Sequence, residues 1–434
     1  MVQGVFVLLL FFFFAFLMIT NRLPVALALP IYAVCVTLIV GAPFIGVDAE
    51  GANIGILATV VESGVTFMAG AVVAVVFGAW MGQMLIKTGM SALMIKKAAE
   101  LGGDRPLIIT FLLCGVVVVL STAITGTGAV IMMGTVVLPI FISLGIPKLM
   151  AGCLFLMAYA AGSCMMPSNW EAYSRLMQLP VEDIAFYCTI VGIITIIAMI
   201  VFILVEFKRN GVKYAFSAPT GQAEETIETV TGFRCAMAAL TPIIPLILVA
   251  VLGLPVVSSI AVGIIWIAIW TARGYMKTIN TVIKACFDGI ADTAPAIIIL
   301  MVLGILLNGV THPMVVPVIT PVMGAITPAN AVTFLLIFGL ISPLTLYRGP
   351  LATFGLGAGI AAVLLGMGIL PPHVIMVGFY CRLGFSIACD PTATQLIWTG
   401  NYVGEDPASF MKRQIPYLWI ASVIGAVVGI FIYT

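Results

Sequence analysis

The chain reads as an all-α polytopic membrane protein made of two inverted repeats. Each repeat holds about five transmembrane helices plus one re-entrant helical hairpin, with broken helices near the membrane centre. Three observations predict this. Hydrophobic residues fill 62% of 434 positions and charged residues only 8%, with a mean hydropathy of +1.25, which excludes a soluble globular domain. Apolar runs of roughly 20 residues, the length that crosses the hydrocarbon core, recur along the chain. Two of these runs, half the chain apart, are interrupted alike: Ser121-Thr122-Ala123-Ile124-Thr125-Gly126-Thr127-Gly128 and Ser342-Pro343-Leu344-Thr345-Leu346-Tyr347-Arg348-Gly349-Pro350. Such backbone at membrane depth persists only inside protein or beside a cavity.

The elements follow in order. Gly4 to Thr20 and Pro24 to Ile39 supply two crossings on either side of Arg22. Beyond Asp48 and Glu50, Ile54 to Ile86 is long enough for an interfacial piece and a third crossing, and Lys87, Lys96, Lys97 and Arg105 mark a basic loop. The arms Leu107 to Leu120 and Ala129 to Ile146 flank the first interruption, a hairpin over about 107–146. A broken helix over about 148–184, interrupted at Met165-Met166-Pro167-Ser168-Asn169, and a crossing from Ala185 to Val205 complete the first repeat, 1–206. Residues 207–233 are expected to form a cytoplasmic linker.

The second repeat, 234–434, restarts with Cys235 to Leu252 and Val256 to Ala272, a loop marked by Arg273, Lys277 and Lys284, and a crossing that contains Ala294 to Leu307. A proline-rich stretch leads to a hairpin over about 331–366 and a broken helix over about 373–411 that contains Asp390-Pro391-Thr392-Ala393-Thr394. Tyr417 to Tyr433 lies in the last crossing. If both hairpins re-enter on opposite sides, every basic loop falls on one face, as the positive-inside rule requires. An odd number of crossings per half then inverts the second copy.

The 18 basic and 17 acidic residues are nearly balanced and too scattered for a nucleic-acid binder. The nine cysteines show no metal-ligand spacing and are read as buried thiols. Met1-Val2-Gln3 carries no basic leader, so the N-terminus is expected to stay as the first membrane helix. No nucleophile, base and orienting group converge by motif, which speaks against an enzyme.

Broken helices expose N–H groups at one end and C=O groups at the other, with opposite partial charges. The candidate substrate-binding residues are therefore Thr122, Thr125, Gly126, Thr127, Gly128, Ser168 and Asn169 on one side, and Thr345, Arg348, Gly349, Thr392 and Thr394 on the other. Arg348 stands out, because a guanidinium at a hairpin tip faces an anion, water or a protein acid such as Asp390. Asp390 is either a coupling group for a cation or proton, together with Ser121, Asn169 and Thr394, or a turn-forming Asp before proline. Neutral oxygens suit a hard cation, and a sodium ion is expected near Thr125, Asn169 and Thr394, with no other cofactor. Arg382 fits an internal acid pair as well as a ligand role. Glu62 and Asp288 are placed at membrane edges, Glu171 and Arg175 as an i, i+4 surface pair, and His312 and His373 in turns.

Several stretches are similar to the ion transporter superfamily of gluconate, citrate, dicarboxylate and lactate carriers and the large membrane subunits of tripartite transporters. They are Gly78-Ala79-Trp80-Met81-Gly82 through Lys87-Thr88-Gly89, Thr125-Gly126-Thr127-Gly128 with Val137-Leu138-Pro139, and Asp390-Pro391. The SNT tripeptide of divalent-anion carriers appears only as Ser168-Asn169-Trp170 and is replaced by Thr392-Ala393-Thr394 in the second half. The resemblance implies a scaffold domain, often a homodimer, and a transport domain that moves as an elevator in a bacterial inner membrane. The function it implies is cation-coupled uptake of a small organic anion by a protein partnered otherwise only by the lipid bilayer. A cation/proton antiporter and a tripartite membrane subunit are the alternatives.

Overall fold

A computed structural model describes residues 2–20, 22–47, 53–101, 105–124, 126–210, 231–328 and 330–434. These residues are helical apart from turns, connections and an isolated bridge between Val47 and Asn53. The first half runs α1 (Val2–Ile19), α2 (Val25–Ile39), a π-helical turn (Leu57–Glu62), α3 (Ser63–Phe67), α4 (Ala69–Lys87) and α5 (Met90–Leu101). It continues with α6 (Pro106–Ser121), α7 (Thr127–Ser143), α8 (Lys148–Cys164), α9 (Pro167–Met177) and α10 (Val181–Asn210). The second half runs α11 (Gly232–Ala239), α12 (Ile243–Ala250), α13 (Val256–Trp270), α14 (Tyr275–Val310), α15 (Val316–Ile326) and α16 (Ala331–Leu340). After the tip Ser342–Arg348 come α17 (Leu356–Met367), α18 (Pro372–Tyr380), α19 (Leu383–Cys389), α20 (Thr394–Val403) and α21 (Pro407–Tyr433).

Among the described residues, five helical runs are long and apolar enough to cross a membrane unaided, and three bent pairs qualify jointly. Phe12, Phe16, Ile197, Leu204 and Phe431 are exposed on their outer surfaces, where hydrocarbon is the natural solvent. The molecule is a multi-pass integral membrane protein.

Three segments differ from the sequence expectation. Lys277 and Lys284 lie on α14, not in a loop, because no glycine or proline stops the helix between Tyr275 and Gly289 and their long stems lie along its exposed side. The run from Cys235 to Leu252 is two helices, α11 and α12, bent by 46° where Pro242 interrupts it. The linker expected at 207–233 begins later: α10 continues to Asn210, and residues 211–230 lie outside the described residues, as do Asp48, Glu50 and Thr125.

Corresponding helices of the two halves pack antiparallel. On α4 and α14, Gln83 meets Asp292 and Lys87 pairs with Asp288. Nearby, α3 touches α14 backbone to backbone: a Cβ on Gly304 would lie 2.0 Å from the Gly64 carbonyl oxygen. On α10 and α21, the Tyr187 hydroxyl donates to the Gly425 carbonyl at 3.0 Å, and Glu206 pairs with Arg413 at the other end. Glu206 is 1% exposed and also accepts from the Tyr417 hydroxyl at 3.3 Å.

Arg413→Ala strands that buried carboxylate. It is expected to destabilise the protein toward the low end of the about 3–5 kcal/mol seen when buried pairs are broken, since Arg413 keeps partial access to water. Thermal unfolding in detergent checks this, and the double variant Glu206→Gln, Arg413→Met is expected to recover most of the loss.

Candidate functional site

Proline sets four of the breaks, at Pro167, Pro242, Pro343 and Pro391. A proline has no N–H for the carbonyl four residues back, and hydrocarbon offers no water in its place. At each break a polar side chain reaches the freed carbonyl. Behind Pro167, Ser163 accepts from Asn169 Nδ2 at 3.4 Å, and Trp170 Nε1 covers the next carbonyl, Cys164, at 3.0 Å. Behind Pro242, Ala238 accepts from Thr241 Oγ1 at 2.7 Å. Behind Pro343, Gly339 accepts from Ser342 Oγ at 2.7 Å. Behind Pro391, Ile387 accepts from Gln395 Nε2 at 2.8 Å.

The second tip is strained and held from below. Tyr347 and Arg348 are consecutive non-glycine residues with positive φ, 55° and 53°, a conformation that costs of order 1–3 kcal/mol per residue. The Asp390 carboxylate, 8% exposed, binds both of their amides: Oδ1 accepts from Tyr347 N at 3.1 Å and Oδ2 from Arg348 N at 3.3 Å. Oδ1 also accepts from Thr392 N at 2.9 Å and Thr392 Oγ1 at 2.7 Å. Asp390 thus meets Arg348 through the backbone, and the two tip amides are not free for a substrate in this conformation. Gly349 follows because a Cβ there would lie 2.1 Å from the Leu344 carbonyl oxygen. Thr345 is buried and donates to the Ser342 carbonyl at 2.7 Å, while Thr394 is exposed at the start of α20. The half-buried Arg348 guanidinium has no hydrogen-bond or ion-pair partner among the described residues.

Arg382 finds no acid. It is fully buried, with its guanidinium carbon 5.4 Å and 5.1 Å from the ring centroids of Phe338 and Phe379 and Nη1 donating to the Phe338 carbonyl at 3.1 Å. Cation–π contact takes the place of a counter-ion and clamps the end of α16 to the α18–α19 break.

The first tip has different neighbours. Thr122 Oγ1 donates to the Val119 carbonyl at 2.8 Å and to the Pro242 carbonyl at 3.2 Å, at the α11–α12 break. Ser121 is buried against Gly162 with its hydroxyl unpaired among the described residues. Ala123 and Ile124 press on Gly82 of α4, where a Cβ would come within 3.2 Å of Ile124 Cα. Gly126, at φ +92°, turns the chain into α7, which Thr127 and Gly128 begin. Ser168 is buried beside Gly78 of α4, and Asn169 is half-buried.

No hydrogen bond joins the two tips among the described residues. What links the halves here is an aromatic stack: Phe354, beyond the second tip, lies on Tyr173 of α9 at 5.4 Å and 22°, and the Tyr380 hydroxyl donates to the Tyr173 carbonyl at 3.1 Å. Elsewhere Glu171 pairs with Arg175 at 3.2 Å, and His373 meets Asp183 at 2.9 Å. His312 is buried, with Nε2 3.2 Å from the Ile54 carbonyl.

Sequence reasoning missed Asp292. It is half-buried midway along α14 and accepts from Gln83 Nε2 at 2.6 Å, beside Gly126 of the first tip. A carboxylate within an apolar run was the available signal. Among the described residues no cluster of His, Cys, Asp and Glu of metal-holding size occurs. Oxygen is the ligand on offer: hydroxyls and amides that donate a hydrogen keep their oxygen lone pairs.

No family model and no curated protein matches the chain. Among solved structures, it is similar to the crystal structure of the Alcanivorax borkumensis YdaH transporter, with a TM-score of 0.64 over 98% of this chain and 98% of that chain at 14% identity. The two share a polytopic membrane fold.

Asp390→Ala removes the acceptor from both strained amides. Hydrogen exchange in peptides covering 341–354 is expected to speed up at Tyr347 and Arg348, read by mass spectrometry, while the α16 amides keep their protection.

Proposed function

We propose that the chain is a cation-coupled secondary transporter, driven by protons or sodium, that moves a small organic anion by elevator-type alternating access. The observation that carries this reading is Arg348: a guanidinium without a partner, half-buried at a hairpin tip whose backbone is held strained by Asp390. A permanent cation part-buried at this tip suits an anion, and its planar fork fits a carboxylate through two parallel hydrogen bonds. Asp390 orients the tip, and Thr345 and Gly349 shape it. The antiparallel packing of α4 with α14 and of α10 with α21 supports two inverted repeats. The similarity to a solved transporter supports a carrier, and the sequence likeness supports the ion transporter superfamily, a bacterial inner membrane and a homodimer joined through its scaffold.

A cation/proton antiporter on the same scaffold is the second reading. The Asp292–Gln83 pair favours it, because a carboxylate at that depth serves cations without any organic substrate.

The two separate in a thermal-unfolding screen of purified protein against small mono- and dicarboxylates, since a ligand that binds the native state raises its stability. The carrier reading predicts a carboxylate response that Arg348→Ala weakens at least about tenfold in half-effective concentration, the loss of about 1.4 kcal/mol or more of charge-assisted bonding. Arg348→Lys keeps the charge but loses the fork and falls between. A response to inorganic cations alone supports the antiporter.

A further inference from the structure

Asp292 sits midway along the 36-residue α14, on a stretch where Phe287, Ile290 and Ile298 are exposed apolar neighbours. A carboxylate that adjoins the apolar part of a membrane helix needs partners. Among the described residues no cation pairs with it. On α4, Gln83 donates Nε2 to Asp292 Oδ2 at 2.6 Å, and Lys87, one turn along, is taken by Asp288, one turn back on α14. The first tip, 121–128, has no ionisable side chain. The next charges along α4, Glu171 and Arg175 of α9, pair with each other beside Gly70, more than three turns away at about 3.6 residues per turn.

Oxygen surrounds this carboxylate. With Gln83 Nε2 donating, Gln83 Oε1 and Asp292 Oδ1 are left as acceptors. Pro295 has no N–H to give the Ala291 carbonyl, next to Asp292 in the chain. The first tip closes on the same place. Gly126 has a left-handed φ of +92°, and a Cβ there would come within 3.4 Å of the Asp292 carbonyl oxygen and 3.5 Å of Asp292 Cβ, so glycine lets the tip lie directly on this turn of α14.

We propose that Asp292, held by Gln83, is the carboxylate that takes the coupling cation, one monovalent ion bound beneath the first hairpin tip. The chemistry is one negative charge among neutral oxygens, which serves an alkali ion or a proton, and binding neutralises the charge so that the tip can move over it. The inference rests on the transporter reading and gives its coupling step a residue. Gln83 positions the carboxylate.

Asp292→Asn tests it, because asparagine keeps the shape and still accepts from Gln83 through its Oδ1 while losing the charge. Thermal unfolding of purified full-length protein is measured with sodium chloride against choline chloride at fixed pH, and across pH steps at fixed salt. Wild type is expected to respond to sodium, which identifies an alkali ion, or to pH in choline, which identifies a proton. Asp292→Asn is expected to unfold near wild type in choline at neutral pH but to lose that response, or to need at least tenfold more sodium. Moving the carboxylate across the pair, in Gln83→Glu with Asp292→Asn, is expected to restore it. A variant Asp292→Asn that keeps the full wild-type response overturns the assignment, as does a wild type with no cation response. Neither result touches the carboxylate screen with Arg348→Ala, so failure here is distinct from failure of the transporter reading.

Discussion

Every proline inside the bilayer leaves a carbonyl that hydrocarbon cannot hydrate, and four breaks of this fold are built around that deficit. An unsatisfied backbone group in such surroundings costs several kcal/mol. Asn169, Thr241, Ser342 and Gln395 each reach the carbonyl that a proline four residues further on has released. The polar residues at the interruptions are structural first. Their oxygen lone pairs, and the second amide hydrogens of Asn169 and Gln395, are what remain for a second task.

That constraint narrows what is free to do chemistry. The carbonyls released by these four prolines are covered, and the amides of Tyr347 and Arg348 are bound by Asp390. The strain of two left-handed residues is therefore sustained by one carboxylate lying 43 and 42 residues away in the chain. Among the described residues this arrangement leaves the Arg348 guanidinium without a partner. Arg382, equally charged and more deeply buried, is instead absorbed by two phenyl rings and serves packing.

Much of the architecture was legible along the chain, because proline, glycine and hydroxyl residues inside apolar runs announce missing hydrogen bonds. The interruptions at Ser121, Pro167, Ser342 and Pro391 could be placed this way. What could not be placed was the partner that repairs each one. Asp390 reads along the chain as a coupling group, a turn-former before proline or a partner of Arg348, and the packed structure shows it accepting from the amides of Tyr347, Arg348 and Thr392; Arg382 fits an acid pair as well as a ligand role, and among the described residues it lies against two phenyl rings instead. Pro242 was passed over as a proline within an apolar helix, although Thr241 beside it supplies the substitute donor. Asp292 was hidden for the opposite reason: its meaning comes from Gln83, which is 209 residues away. Local pattern shows where the backbone is short of a donor; only the packed structure shows which distant group makes up the shortage.

Concentrative uptake tests the organic-anion carrier reading most directly. Purified protein in liposomes, supplied with a labelled small carboxylate and an imposed sodium or proton gradient, is expected to accumulate the label above its outside concentration and to release it when an ionophore dissipates the gradient. Equal labelling of protein-containing and empty liposomes across the carboxylate series, with or without a gradient, contradicts an organic-anion carrier.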